Sequence, residues 1–321
     1  MKSSFRKRPR DLTAQPESLP ANAFSRSRAE RARALSEALL KRSRPSARLN
    51  GMFSKAQLDR YARHIILPNV GAAGQQKLMR SKVLVVGAGG LGSPVLLYLA
   101  AAGVGTLGVA DFDRVSLSNL QRQILHGAST LNQLKIDSAR ARLSDLNQEV
   151  GVLTYAEGLS AANTLEVIKD YDLVVDGSDN FATRYLVNDA CVLSGKPLLY
   201  GAIDQFEGQL SLFGASADGG RGPCYRCLFP NPPAPGTVPN CAEAGVFGAL
   251  PGVLGSMMAT EAIKYLLGLG ESLSGTLLHY DALYSETRRV KVGRRKDCAV
   301  CGEHPSVTEL LDYAVFCGDA S

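Results

Sequence analysis

Two pairs of cysteines constrain what this chain can fold into. Each pair has the spacing CxxC, as Cys224–Cys227 and Cys298–Cys301, and 70 residues separate the two pairs. A CxxC pair places two thiolates on one tight turn, and two such pairs supply the four sulfur ligands of a closed tetrahedral zinc site. Two unrelated turns with buried thiols are the alternative. We expect structural Zn²⁺ that clips distant segments together in a C-terminal part of the fold.

Apolar runs alternate with helical patterns over the first two thirds of the chain. This alternation is typical of a largely parallel central sheet with helices on both faces, so we expect a Rossmann-like α/β fold. After Asp204 the pattern changes to strands with Gly- and Pro-rich connections. The predicted strands are 82–87, 105–111, 150–156, 171–176, 196–202, 208–215, 276–281 and 286–292. A helix is predicted over 131–147, before Asp204, and another over 248–267. A crossing loop is predicted over 219–238.

The positive charge of the chain is concentrated at its N-terminus. Of 36 Lys and Arg and 30 Asp and Glu residues, residues 1–51 hold 13 and 4, which leaves 23 basic and 26 acidic residues in the remainder. Segments rich in Arg, Ser and Pro with few large apolar residues are typically disordered. We expect a solvated basic extension, with Met52 as an alternative start. A nucleic-acid or membrane-surface tether and an organelle transit peptide are the other interpretations.

We expect neither a membrane span nor a secretory signal. No apolar run reaches the roughly 18 residues of a bilayer-spanning helix, and no apolar signal-peptide core lies near the start. Seven cysteines with paired spacing and no secretory signal fit a reducing compartment better than a disulfide framework. The expected location is therefore cytoplasmic.

A glycine-rich turn follows the first predicted strand. Gly87, Gly89 and Gly92 form the pattern GxGxxG, which lets the backbone approach a phosphate at a helix N-terminus. Asp111 lies 19 residues after Gly92, close to the spacing of about 20 at which an acidic residue binds ribose hydroxyls. The pattern predicts a nucleotide site, and a glycine-rich turn without a ligand is the alternative.

A polar run directly after Asp111 favours a triphosphate over a dinucleotide. Asn119, Arg122 and Gln123 lie in this run, and Lys135 follows. Arg and Lys together neutralise a triphosphate and the charge that develops on pyrophosphate, whereas NAD needs no such clamp. A solvated loop followed by a helix lysine is the alternative.

Acidic and amide residues follow the predicted strand 171–176. In an open α/β sheet, ligands bind beyond the C-terminal ends of the strands. Asp179 is therefore a candidate Mg²⁺ ligand, and it is equally a candidate N-cap of the next helix.

Seven motifs follow one another in order along the chain. They are Tyr61–His64, Gly87–Gly92, Ser116–Gln123, Asp179–Asn180, Cys224–Cys227, Asn240–Gly245 and Cys298–Cys301. Together they resemble the ThiF/MoeB/HesA family of adenylyltransferases, the bacterial relatives of ubiquitin-activating enzymes. The resemblance extends from about Phe53 to Tyr313 and is strongest to molybdopterin-synthase sulfur-carrier adenylyltransferases. It implies that ATP adenylates the C-terminal glycine of a ubiquitin-fold sulfur-carrier protein, with release of pyrophosphate, and that the sulfur would serve molybdenum cofactor or thiamine biosynthesis.

The resemblance also implies roles for individual residues. Asp111 would hold ribose hydroxyls, and Asp179 would hold Mg²⁺. Asn119, Arg122 and Lys135 would stabilise the phosphates, and the four CxxC cysteines match structural zinc ligands. The implied ATP contacts are Gly87, Gly89, Gly90, Gly92, Asp111, Ser118, Asn119, Leu120, Gln121, Arg122, Lys135, Asp179 and Asn180.

Two further residues are given roles by the resemblance. Arg63 matches an arginine that family members donate across a homodimer interface. Cys241 lies beside Glu243 at a position whose cysteine, in some members, forms a covalent link to the carrier, and a free loop thiol is the alternative. Some relatives continue into a rhodanese domain. Because this chain stops at Ser321, we expect a separate sulfur donor, a cysteine desulfurase or a rhodanese.

We expect an adenylyltransferase domain over 52–321 after the basic tail 1–51. Its nucleotide-binding half would span about 82–204, and its carrier-binding and zinc part about 205–303. ATP, Mg²⁺ and Zn²⁺ are the expected cofactors. A MoaD-like carrier is favoured over a ThiS-like one, with a homodimer, no membrane partner and no nucleic acid. An NAD-dependent oxidoreductase and a non-catalytic carrier-binding module are the alternative functions.

Overall fold

The computed structural model describes most of the chain after residue 51. The described residues are 52–215, 220–233, 245–311 and 313. Their helices are α1 (Lys55–Ile65), α2 (Gly71–Arg80), α3 (Gly92–Ala102), α4 (Lys135–Leu146), α5 (Thr164–Ile168), α6 (Phe181–Ser194), α7 (Tyr225–Leu228) and α8 (Leu250–Leu267). Their strands are β1 (Lys82–Val86), β2 (Thr106–Ala110), β3 (Gly151–Tyr155), β4 (Leu173–Asp176), β5 (Leu198–Asp204), β6 (Glu207–Phe213), β7 (Thr276–Asp281) and β8 (Glu286–Lys291).

The chain divides into two compact units, residues 1–57 and 58–321. In the described part of the first unit, the Ser54 hydroxyl accepts a hydrogen bond from the Gln57 backbone N–H, and the Gln57 side chain accepts one from the Ser54 N–H. This reciprocal pair is a capping box, which starts a helix. Across the residues that the structure describes, no helix combines the length and apolarity needed to cross a bilayer.

The second unit is built on an eight-stranded sheet with the order β3-β2-β1-β4-β5-β6-β7-β8. The five strands from β3 to β5 pair in parallel, and β6, β7 and β8 continue the sheet antiparallel. In register, Val85 of β1 lies opposite Val109 of β2 and Val175 of β4. The strand order therefore reverses between β1 and β4, which is where doubly wound sheets bind ligands.

Helices cover both faces of this sheet. Val85 of β1 belongs to one buried cluster with Leu99 of α3 and Leu254 of α8. Its neighbour Leu84 belongs to a second cluster with Tyr185 of α6. Because successive strand residues point to opposite faces, the two clusters lie on opposite sides of β1. The predicted Rossmann-like α/β fold with a largely parallel sheet is confirmed.

Two segments differ from the sequence prediction. The helix predicted over 131–147 begins only at Lys135, because Leu134 forms an antiparallel bridge with Arg114 and has an extended ψ of 137°. The crossing loop predicted over 219–238 contains the short helix α7. Both differences arise from tertiary contacts, which override local propensity.

A buried ion pair joins α7 to α6. Arg226 donates through Nε and Nη2 to the two carboxylate oxygens of Asp189, at 2.8 and 2.7 Å, and the side chains are 3% and 0% exposed. The Tyr313 hydroxyl donates to the same carboxylate at 2.8 Å, and the Arg226 guanidinium lies over the Tyr185 ring. The free-energy cost of removing two charges from water is offset only by their attraction to each other. Each buried charge therefore depends on its partner.

Replacing Asp189 by Asn should lower the free energy of unfolding by about 3–5 kcal/mol, because the Arg226 guanidinium would stay buried without its counter-charge. Urea denaturation followed by circular dichroism measures this change. Asp145→Asn is the control, since its pair with Arg142 is exposed and should contribute less than about 1 kcal/mol. Equal losses in the two variants would contradict the importance of the buried pair.

Candidate functional site

A cleft opens where the strand order reverses. Its walls come from the segments that follow β1 and β4, together with the end of β2 and the start of α4. In doubly wound sheets this is the place where nucleotides and other ligands bind. The cleft therefore lies where the fold favours a ligand.

The glycine-rich turn after β1 is shaped by backbone crowding. Gly87 has a φ of +89°, and a Cβ at this position would lie 3.0 Å from the carbonyl oxygen of Gly177. A Cβ on Gly92 would lie 1.8 Å from the carbonyl oxygen of Gly87. Gly89 and Gly90 line the cleft directly. The outer glycines thus close the turn, and the inner two present backbone to a ligand.

Asp111 fixes the glycine-rich turn from the end of β2. One of its carboxylate oxygens accepts a hydrogen bond from the Ala88 N–H at 2.8 Å, and the other accepts one from the Asp113 N–H at 2.8 Å. Asp111 also lines the cleft. The carboxylate therefore lies at the cleft, and its binding of ribose hydroxyls stays a prediction.

Three cationic side chains line the cleft. The Lys135 ammonium lies 2.8 Å from an Asp113 carboxylate oxygen, with the lysine side chain only 7% exposed. Arg122 and Arg184 each donate to a backbone carbonyl oxygen at 3.2 Å. These bonds direct positive charge at one cavity, which suits a polyanionic ligand.

The turn after β4 carries Asp179, for which the sequence allows two roles, as a Mg²⁺ ligand or as the N-cap of α6. The side chain of Asn180 accepts a hydrogen bond from the Thr183 N–H at 2.8 Å, so Asn180 is the N-cap of α6. Asp179 is exposed and lines the cleft. Its carboxylate is therefore not used as the cap, and its role as a Mg²⁺ ligand stays a prediction.

Several predicted site residues do not line the cleft. The Asn119 side chain caps the 3-10 helix Leu117–Asn119 by accepting from the Ser116 N–H at 3.3 Å. Arg63 is exposed on α1, and Cys241 lies outside the described residues. Absent from the cleft wall are Arg63, Gly92, Ser118, Asn119, Leu120 and Gln121.

Two polar side chains at the cleft, Ser178 and Arg184, were not predicted from the sequence, whereas Gln123 was. The side-chain amide oxygen of Gln123 is buried and has no hydrogen-bond partner among the described residues. Arg184 lies one helical turn after Asn180, a spacing that could have indicated it. Burial raises the pKa of Asp176, whose carboxylate accepts from the Ser178 N–H at 2.9 Å. Unpartnered polar atoms at a cleft wall fit a site that is completed by a ligand.

The four CxxC cysteines converge on one point. Their sulfur atoms all lie within 4.8 Å of one another, and all four residues are buried. The distances from Cys224 Sγ to Cys298 Sγ and from Cys227 Sγ to Cys301 Sγ are 3.5 and 3.4 Å. A tetrahedral Zn²⁺ with bonds of about 2.3 Å requires sulfur separations near 3.8 Å. The arrangement therefore fits the predicted structural metal site.

The environment of the cysteines favours a bound cation. The Arg295 N–H donates to Cys227 Sγ at 3.4 Å, which stabilises negative charge on that sulfur. Four thiolates at these distances repel one another unless a metal ion compensates their charge.

Comparisons with known proteins agree with this geometry. The model of the ThiF family matches residues 61–300. A Thermus thermophilus protein named sulfur carrier protein adenylyltransferase is 57% identical over 267 residues, which cover 83% of this chain and 98% of that protein. A Culex quinquefasciatus protein named adenylyltransferase and sulfurtransferase MOCS3 is 52% identical over 262 residues, and the match covers 81% of this chain but only 59% of that protein.

Among solved structures, Escherichia coli MccB in complex with AMPCPP and MccA has a TM-score of 0.65 at 24% identity. The superposition covers 76% of this chain and 74% of that chain. At this identity, the similarity is evidence for the fold alone.

Replacing Cys298 by Ser should remove bound zinc and lower the melting temperature, because three thiolates and a hydroxyl make a much weaker zinc site. Metal analysis of the purified protein should give one zinc per wild-type chain and far less in the variant. Cys191→Ala is the control, since Cys191 is a buried thiol outside the cluster. Equal zinc content in both variants would rule out the four-sulfur site.

Proposed function

This chain belongs to the ThiF family, and from that premise we propose that it transfers the AMP group of ATP to the C-terminal glycine of a ubiquitin-fold sulfur-carrier protein. The observation that carries the proposal is the convergence of Arg122, Lys135 and Arg184 on the cleft that Asp111 borders. A ribose acid beside three cations suits a nucleoside triphosphate better than a dinucleotide. The name of the Thermus thermophilus relative supports the same activity.

The proposed reaction needs little covalent work from the protein. A carboxylate oxygen of the terminal glycine attacks the α-phosphorus of ATP. The bond between this phosphorus and the oxygen that bridges the α- and β-phosphates breaks, and pyrophosphate leaves with the bonding electrons. The attacking carboxylate is already ionised at neutral pH, so no general base is required. The chain contributes positioning and stabilisation of charge that develops on the phosphates.

Individual side chains have distinct parts in this proposal. Asp111 holds the ribose, and Lys135, kept at the cleft by Asp113, stabilises the phosphates together with Arg122. Mg²⁺, which Asp179 would hold, supplies further neutralisation of phosphate charge. We assign zinc a structural role because the four cysteines leave no open coordination position.

Arg63 supports a homodimer in this proposal. It is exposed on α1 and does not line the cleft of its own chain. An arginine supplied by a second protomer would add positive charge at the pyrophosphate. Cross-linking or sedimentation of the purified protein tests the dimer.

The carrier would reach the cleft from the antiparallel side of the sheet. Ile203 and Val246 line the cleft wall, and Phe206 and Phe247 stack beside them with ring centroids 5.6 Å apart. These rings are 36% and 52% exposed. We propose that they contact the carrier, within the predicted carrier-binding and zinc part 205–303, which follows the nucleotide-binding half 82–204.

Sulfur would come from a separate donor, a cysteine desulfurase or a rhodanese. The five cysteines that the structure describes are all buried, so none of these five offers the exposed thiol that a persulfide carrier needs. Cys241 and Cys317 lie outside the described residues. The proposed carrier is MoaD-like, with a ThiS-like protein as the alternative, so the product would serve molybdenum cofactor or thiamine biosynthesis.

Exchange of labelled pyrophosphate into ATP tests the proposed function. With Mg²⁺ and a MoaD-like carrier ending in Gly-Gly, we expect exchange that depends on the carrier, and weaker exchange with a ThiS-like carrier. Exchange only with the ThiS-like protein would reverse the choice of carrier. No exchange with either, from folded zinc-loaded protein that binds ATP, would refute the adenylation proposal.

Replacing Asp179 by Ala should abolish carrier-dependent exchange, because the carboxylate proposed to hold Mg²⁺ is lost while α6 keeps its Asn180 cap. Exchange assays and thermal melting together measure activity and folding. Asp170→Ala, an exposed acid ahead of β4, is the control and should leave both unchanged. Wild-type exchange in the Asp179 variant would remove this residue from the site.

Replacing Phe247 by Glu should raise the KM for the carrier about 10-fold or more while ATP binding stays unchanged, because an aromatic anchor is lost from the proposed contact. Leu153→Glu is the matched control, since Leu153 is also 52% exposed and lies on β3 at the opposite edge of the sheet. The same KM in the two variants would show that the carrier docks elsewhere.

A further inference from the structure

His126 is a buried side chain between two walls of the proposed nucleotide site. It is 9% exposed, and both ring nitrogens are engaged. Its Nε2 lies 2.8 Å from the Ala88 carbonyl oxygen, and its Nδ1 lies 2.8 Å from the Ser138 hydroxyl. The ring is thus in contact with both the glycine-rich turn and α4.

The partners determine which nitrogen carries the proton. The Ala88 carbonyl oxygen only accepts hydrogen bonds, so Nε2 must be the N–H donor. In the neutral ring, Nδ1 is then an acceptor, and the Ser138 hydroxyl turns its one proton toward it. The same proton can instead be donated to the Thr130 hydroxyl at 3.0 Å, while Thr130 donates to the Gly127 carbonyl oxygen. Ser138 therefore donates either to the neutral ring or to Thr130.

Both partners of His126 connect to residues of the proposed ATP site. The Ala88 carbonyl oxygen accepts a hydrogen bond from His126, and the Ala88 N–H donates one to Asp111. The backbone of Ala88 is therefore held on both sides. Ser138 lies in the first turn of α4, three residues after Lys135. One imidazole therefore braces the turn that faces the phosphates and the helix that carries the cleft lysine.

We infer that His126 is a positioning residue for ATP, in its neutral form with the proton on Nε2, and that it acts by holding the Ala88 peptide in register with α4. The inference rests on the proposed function, since ATP is the ligand whose site is positioned. His126 does not itself line the cleft. It is expected to affect ATP affinity more than the rate of the chemical step.

The surroundings keep the ring neutral. Burial lowers the pKa of His126, and the charge of Lys135 on α4 lowers it further, while the Ala88 carbonyl and Asp111 at the end of β2 oppose this shift. A protonated ring would have to donate from Nδ1, which reverses the hydrogen bond from Ser138. The folded state binds this proton less tightly than the unfolded chain, so stability falls as the pH drops below about 6.5.

Three substitutions separate positioning from simple packing. Gln reaches about as far as the imidazole Nε2 and can still donate to Ala88, whereas Asn reaches only the Nδ1 position and Leu donates to neither partner. We expect His126→Asn and His126→Leu to weaken ATP binding about 5- to 10-fold, the scale of one lost neutral hydrogen bond. His126→Gln should restore binding to within about 3-fold, and kcat for exchange should change less than KM for ATP.

ATP affinity is measured by equilibrium binding without carrier, from pH 5.5 to 8, alongside thermal melting. Because ATP itself titrates in this range, the informative quantity is the difference between wild type and His126→Gln, whose amide does not titrate. We expect wild-type affinity to fall more steeply in acid. His279→Gln, at a partly exposed histidine on β7 paired with Glu207, is the control.

Two results would overturn the inference while leaving adenylation intact. One is wild-type ATP affinity in His126→Leu. The other is equal loss of affinity and melting temperature in all three variants, which would indicate packing alone. A wild-type protein that binds no ATP at any pH would instead refute the proposed function on which the inference depends.

Discussion

The close contact between the backbones that follow β1 and β4 is the constraint on which the rest of the site depends. A Cβ on Gly92 would lie 1.8 Å from the Gly87 carbonyl oxygen, and a Cβ on Gly87, where φ is +89°, would lie 3.0 Å from the Gly177 carbonyl oxygen. This contact brings the end of β1 against the end of β4, so the glycine-rich turn and the Asp179 turn share one cleft. The hydrogen bond from Ala88 to Asp111 then adds the end of β2 to the same place.

The helix α6 connects this cleft to the cysteine cluster. Its N-terminus, capped by Asn180, lies at the cleft, and Asp189 further along it holds Arg226 between the first two cysteines. Val192 near the end of α6 packs in the apolar cluster that encloses the four sulfurs. The cysteine cluster therefore packs against the helix that follows Asp179, although the cluster and the cleft share no residue.

The sequence predicts features that depend on short spacings. Gly87, Gly89 and Asp111 line the cleft and the paired cysteines converge, because local geometry and ligand chemistry require them there. Gly92 closes the glycine-rich turn without lining the cleft. Asn119 could not be placed from spacing, since its side chain caps a 3-10 helix instead of facing the cleft. His126 was missed because its partners, Ala88 and Ser138, are set by tertiary packing, whereas the spacing of Arg184 from Asn180 was available in the sequence. The predicted start of α4 was wrong because tertiary contacts set it too.

Direct detection of the product tests the central claim. Mass spectrometry of a Gly-Gly carrier, incubated with this protein, MgATP and pyrophosphatase, should show a carrier species heavier by one AMP less one water. That species should disappear on treatment with hydroxylamine, which attacks acyl-adenylates. An unmodified carrier, under conditions where the protein binds both ATP and carrier, would contradict the account.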